Sequence, residues 1–116
     1  MLTWYSYVPH KNTMSTSLHQ STEQLRHRLN GETAKIHWHE LQKHYAAGNV
    51  MAVSSTADLI DVAIAFHQDK RDLVRTWLDS GILFEVDDAQ AKVWFNENKQ
   101  HWAVVIPPFV LIQEVS

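Results

Sequence analysis

The segment from Trp102 to Glu114, WAVVIPPFVLIQE, constrains the fold of this chain more than any other stretch. Eight of the ten residues from Ala103 to Ile112 are aliphatic or aromatic, many of them β-branched, and polar residues flank the run, which is the composition of strand rather than helix. Pro107 and Pro108 interrupt it. A proline has no N–H and its φ is held near −65°, so neither residue can occupy the positive-φ positions of the usual two-residue hairpin turns. Thirteen extended residues would reach about 43 Å, far beyond the ~13 Å radius of gyration of a domain near 100 residues, so the segment must bend. Strands are expected near 102 to 106 and 109 to 114, joined by a corner or bulge at the prolines rather than by a hairpin tip. The Pro-Pro pair is read as structural.

With 116 residues, 45% hydrophobic and 20% charged, the chain is expected to be one soluble globular domain. No apolar run approaches the ~20 residues that cross a bilayer, so no membrane partner is expected. There is no cysteine, which removes disulfides, thiolate catalysis and cysteine-held metal centres. The N-terminus lacks a basic stretch followed by a long apolar one, so no export signal is read and a cytoplasmic location is expected. A net charge of −3 and ten scattered Lys and Arg argue against nucleic acid. The chain is also histidine-rich, and protonation of all eight histidines in mild acid would reverse the sign of its charge.

Residues 1 to 20 are rich in Ser, Thr, Asn and His without apolar periodicity and are expected to be a flexible tail. Ser21 and Gln24 have capping-box spacing for a helix to about Ala34, with Leu25 and Leu29 inward. A second helix fits His37 to Ala47, carrying Trp38, Leu41 and Tyr45 on one face and stopped by Gly48. Val50 to Val53 reads as a strand. From Asp58 the pattern fits both periods; Asp69 and Asp72 suggest a fresh helix start, which favours a strand through Ile60, Val62, Ile64 and Phe66 before it. The following helix turns Leu73, Val74, Trp77 and Leu78 inward and ends at Ser80-Gly81. A strand over Ile82 to Val86 and a helix from Asp87 to about Asn98 precede the terminal strands. The expectation is therefore one compact α+β domain over 21–116: a small mixed sheet of about five strands with about four helices covering one face.

Several of these stretches, taken in order, resemble a known family. They are Glu32-Thr-Ala-Lys-Ile-x-Trp38-x-Glu40-Leu41, then Asp58-Leu-Ile-Asp-Val-Ala-Ile-Ala, then Trp77-Leu with Gly81, and finally Trp102-Ala-Val-Val-x-Pro108 with Val110 to Glu114. The chain is similar, over about residues 24 to 115, to the bacterial family known as domain of unknown function 2288. The resemblance implies a compact bacterial, cytoplasmic domain; the family carries no established activity, cofactor or catalytic residue. The family pattern has proline at position 37 and an apolar residue at 44, where this chain has His37 and His44.

Chemistry is sparsely indicated. The stretch His37 to His44 lacks the histidine pair at i and i+4 of zinc proteases, because Lys43 stands four after His39. On a continuous helix His37, Glu40 and His44 would share one face as a candidate zinc or nickel site; a solvated polar edge is the simpler reading. Asp58, Asp61, Asp69 and Glu114 suggest no acid–base pair, and Ser54-Ser55-Thr56 lacks the glycines of a nucleophile elbow, so it reads as a turn. Of five tryptophans, Trp38, Trp77 and Trp94 fit helix faces packed in the core, while Trp4 and Trp102 are candidate partner contacts. The expected function is a non-enzymatic interaction module with a protein partner or self-association. The alternative is a metal- or small-ligand-binding protein, in the extreme an enzyme, using the His/Glu helix face or a Trp-lined pocket.

Overall fold

The computed structural model describes residues 21–116; the expected flexible tail over 1–20, including Trp4, lies outside the described residues. The elements run α1 (Thr22–Glu32), β1 (Ala34–His37), α2 (Trp38–Ala46), β2 (Val50–Val53), α3 (Leu59–His67), α4 (Arg71–Ser80), β3 (Leu83–Glu85), α5 (Asp88–Glu97), β4 (Gln100–Ile106) and β5 (Phe109–Glu114). The fold is α+β, as expected, with five helices and one five-stranded sheet among the described residues, in the order β1-β4-β5-β2-β3. The sheet is mixed: β2 and β5 run parallel, and every other neighbouring pair is antiparallel.

The central strands explain the architecture. All four residues of β2 and the first four of β5 are buried, which requires cover on both faces of the sheet. Met51, Val53, Phe109 and Leu111 join a core with α1, α3 and α4, while Val50, Ala52, Val110 and Ile112 join a second core with α2 and α5. Helices thus lie on both faces, not on one.

The Pro-Pro pair forms a hairpin tip, contrary to expectation. Ile106 pairs with Phe109, so Pro107 and Pro108 alone make the reversal, and the peptide bond between them is cis. A negative φ excludes the common primed turns but not the type VI turn, whose third position is a cis proline. The thirteen-residue segment folds back on itself instead of turning a corner.

The stretch after Asp58 is helix, not strand. The Asp58 carboxylate accepts the Ile60 N–H at 2.8 Å and caps α3. The alternation of Ile60, Val62 and Ile64 misleads because α3 is buried almost all round: Leu59, Ile60, Val62, Ala63, Ile64 and Ala65 are all in the core, packed among α1, α4, β4 and β5. An all-round apolar helix has no polar face to reveal its period. At about 1.5–3 kcal/mol per fully buried large aliphatic side chain, this helix anchors the first core.

Asp69, read as a cap for the next helix, caps nothing. Its φ of 57° is left-handed, a conformation Asp tolerates, and its carboxylate lies 3.3 Å from Arg71 Nε; the cap residue of α4 is Lys70, without a side-chain bond. On α4, Val74 is buried and Trp77 and Leu78 pack on the core, whereas Leu73 is exposed rather than inward. Strand β1 was not anticipated, because four residues squeezed between two helices leave too little pattern to read.

Candidate functional site

Alternation along β4 sends His101 and Ala103 into the α2/α5 core and directs Trp102 and Val104 to the opposite face. Val104 lies under α3, but α3 begins only at Leu59, so among the described residues no helix lies over the sheet beyond its N-terminus. Trp102 lies in that gap, 37% exposed. With its cross-strand partner Gln113 it floors an open cleft of about 500 Å³, walled by Asn30 and Thr33 at the end of α1 and by residues 57–60 at the start of α3.

The cleft is held by a defined set of bonds. Gln113 Nε2 donates to the carbonyls of Ser54 at 2.9 Å and Ala57 at 2.8 Å, tying β5 to the β2–α3 connection. Within that connection Ser54 Oγ accepts the Thr56 N–H at 3.2 Å and lies 2.9 Å from Thr56 Oγ1, so Ser54-Ser55-Thr56 is a turn, as read from the sequence. Thr33 Oγ1 donates to Leu29 O at 2.7 Å, closing the end of α1. On the neighbouring strand Lys35 stands opposite Trp102 and holds its Nζ 5.0 Å from the indole centroid. The walls present amide, hydroxyl and carboxylate groups beside one aromatic platform. Such a surface suits binding through apolar contact and hydrogen bonds; a nucleophile bonded to a base is not among its lining residues.

On the other face His101 is wholly buried in an aromatic box. Its ring centroid lies 4.5 Å from Trp94, edge-on, and 5.7 Å from Trp38, which in turn packs 5.3 Å from Trp94 and 5.5 Å from Tyr45. Lys99 O accepts from His101 Nδ1 at 3.1 Å and from the Trp38 backbone N–H at 2.8 Å. That bond places the neutral ring's proton on Nδ1. Burial pushes the His101 pKa down to about 4, outweighing the bond to Lys99 O that favours the charged form. His67, on α3, is lowered as well, first by burial and then by Arg28.

The metal candidates are not brought together. His37 ends β1 with extended backbone, φ −81° and ψ 153°, so it leaves the helical path on which the spacing argument depends. Glu40 is exposed in the first turn of α2 and His44 half-buried in its last. Among the described residues, no three His, Asp or Glu form a group able to hold a metal ion. The carboxylates are separately employed: Asp58 caps α3, Asp61 pairs with Arg26 at 2.8 Å, Asp69 meets Arg71, and Glu114 lies 3.7 Å from Lys99. Asp61 points outward from the first turn of α3. The Asp61 bond raises the Arg26 pKa, and the Asp88 carboxylate that accepts from Tyr45 raises that phenol.

Three of these features escaped the sequence reading. Lys35 acquires its position only through β1, Gln113 only through the hairpin register, and His101 only through the side of β4 on which it falls. Trp102 was singled out, and the structure places it on the cleft.

The family profile of proteins of unknown function DUF2288 matches residues 24–114. The chain belongs to the DUF2288 family. No curated protein matches it significantly. Among solved structures it is similar to the NMR solution structure of PA1075 from Pseudomonas aeruginosa, at 38% identity, with a TM-score of 0.70, over 91% of this chain and 94% of that one. The cleft residues of this DUF2288 chain, from Asn30 to Gln113, all lie within the family match. Among the described residues no helix is long and apolar enough to cross a membrane.

Proposed function

We propose that this DUF2288 protein is a non-enzymatic interaction module that receives an extended polypeptide segment along β1, with Trp102 as the central contact. The observation that carries this reading is the exposure of Trp102 on an open cleft, while Trp38 and Trp94 are buried and Trp77 packs on the core. Tryptophan left at a surface concavity is the residue type most enriched at binding hot spots. β1 is one of the two edge strands of the sheet, β3 being the other, and among the described residues it pairs only with β4, so an added strand can extend the ladder there. Register places Lys35 and His37 on the Trp102 face of β1, so an acidic side chain opposite Lys35 would complement it. We further infer a bacterial, cytoplasmic setting, supported by the Pseudomonas neighbour and the cysteine-free composition.

A second reading is a small polar ligand, favoured by the amide, hydroxyl and carboxylate groups that line the open cleft beside Trp102. A photo-crosslinking amino acid at position 35 separates the two. The polypeptide reading expects one discrete protein adduct in cells, lacking when the same group replaces exposed Val93 on α5. An adduct of twice the chain's mass would identify a second copy as the strand donor. No adduct, or the same adducts from both positions, contradicts the reading.

A further inference from the structure

The aromatic box around His101 does no work in the proposed interaction, and it is the part of the fold where burial conflicts most with ionisation. We propose that His101 is an acid-operated latch: its protonation releases α2 and α5 from the sheet while the core on the opposite face, built on α3 and α4, stays closed.

Three observations support it. First, the ring is enclosed by Trp38 of α2 and Trp94 of α5, so those two helices are what must move to give an imidazolium access to water. Second, Lys99 O already takes the Nδ1 proton, and among the described residues His101 Nε2 has no hydrogen-bond partner; Trp38 Nε1 in the same box has none either. A second proton must go on Nε2, where the folded box leaves its N–H unsatisfied and its charge unpaired, a combination that strongly favours opening. Third, the two faces have separate cores. The α3 side buries six α3 residues together with Leu25, Leu29 and Val74, whereas α2 and α5 contribute only Trp38, Leu41, Ala91 and Trp94 as buried residues.

The groups facing the box do not offset the charge. From β5, Glu114 is the register partner of His101, but it is exposed and lies 3.7 Å from the Lys99 ammonium. From β1 the opposite residue is Ile36. From α2, Tyr45 donates to Asp88 at the start of α5, a bond that draws this carboxylate to the phenol rather than to His101. The cationic side chain in closest sequence is Lys99, which opposes a second positive charge.

Linkage sets the expected size. With the closed-state pKa near 4 and the open-state value near 6.5, opening of α2 and α5 gains about tenfold per pH unit between those limits, about 300-fold in all. Hydrogen exchange read by mass spectrometry on the full chain, corrected for intrinsic rates, should show this acceleration in α2 and α5 but not in α3 and α4. His101→Phe should abolish the pH dependence, and His67→Asn should leave it. An NMR titration of the wild-type His101 ring CH, independent of any variant's folding, should show it protonating together with loss of the α2 native amide signals. Exchange that accelerates equally in all four helices, or a His101 ring that titrates while α2 stays native, would overturn the proposal.

Discussion

Lys35 and Trp102 face each other across the β1–β4 ladder, with the ammonium 5.0 Å from the indole centroid. This pair links the edge strand β1 to the floor of the cleft. A cation over an exposed ring contributes about 0.5–1 kcal/mol, so Lys35→Ala should lower stability by less than about 1 kcal/mol in urea denaturation. A larger loss would mean that β1 depends on Lys35 for more than this contact.

Asp58 begins the helix on which the first core is built. Asp58→Ala should cost roughly 1 kcal/mol, the usual effect of removing an N-cap acceptor, measured by thermal or urea unfolding. Asp61→Ala, which removes only the exposed pair with Arg26, should cost less. Equal losses from both would show that the cap is not the organising contact.

The buried imidazole of His101 makes stability depend on pH in a defined direction. Its folded pKa of about 4 lies below the ordinary 6.5, so between these values the unfolded chain binds more protons than the folded one. Stability therefore rises with pH through this window and is lost as pH falls from about 6.5 to 4, by up to about 3 kcal/mol. His67, lowered for the same leading reason, acts in the same direction. Urea midpoints from pH 7 to pH 4 for wild type and His101→Phe check this: most of the slope should vanish in the variant.

Zinc or nickel titrated into wild type and His44→Ala should give the same weak heats, because His37 leaves the helix before Glu40 and His44. Binding that is tight in wild type and lost in the variant would restore the metal reading.

How much of this was legible in the sequence differs by element. Val50 to Val53 and the two terminal strands stood out because buried strands are written as short apolar runs bounded by turn residues. Ser21 and Asp87 announced their helices through side-chain caps that the structure forms. Asp58 forms one too, but its signal was outweighed by the alternation in an all-round buried helix and by Asp69, which sits left-handed instead of capping. The five expected strands and five observed strands agree in number partly by compensation, since α3 was read as strand and β1 was missed. Pro107-Pro108 was correctly located as the bend but mistaken in kind. At the site, an exposed Trp102 could be suspected from residue type alone. Its cleft depends on Asn30, Thr33 and Gln113, and its cation contact on Lys35, all of which approach it only through tertiary register.

The central claim is that Trp102 and its cleft form the contact surface of this DUF2288 chain. Its most direct test is the affinity of the partner captured from position 35 for wild type, Trp102→Ala and Val93→Ala, measured by calorimetry on folded proteins. The account predicts at least a tenfold loss for Trp102→Ala, the ~1.4 kcal/mol or more expected of a hot-spot tryptophan, and no change for Val93→Ala. Equal affinity of Trp102→Ala and wild type would contradict it.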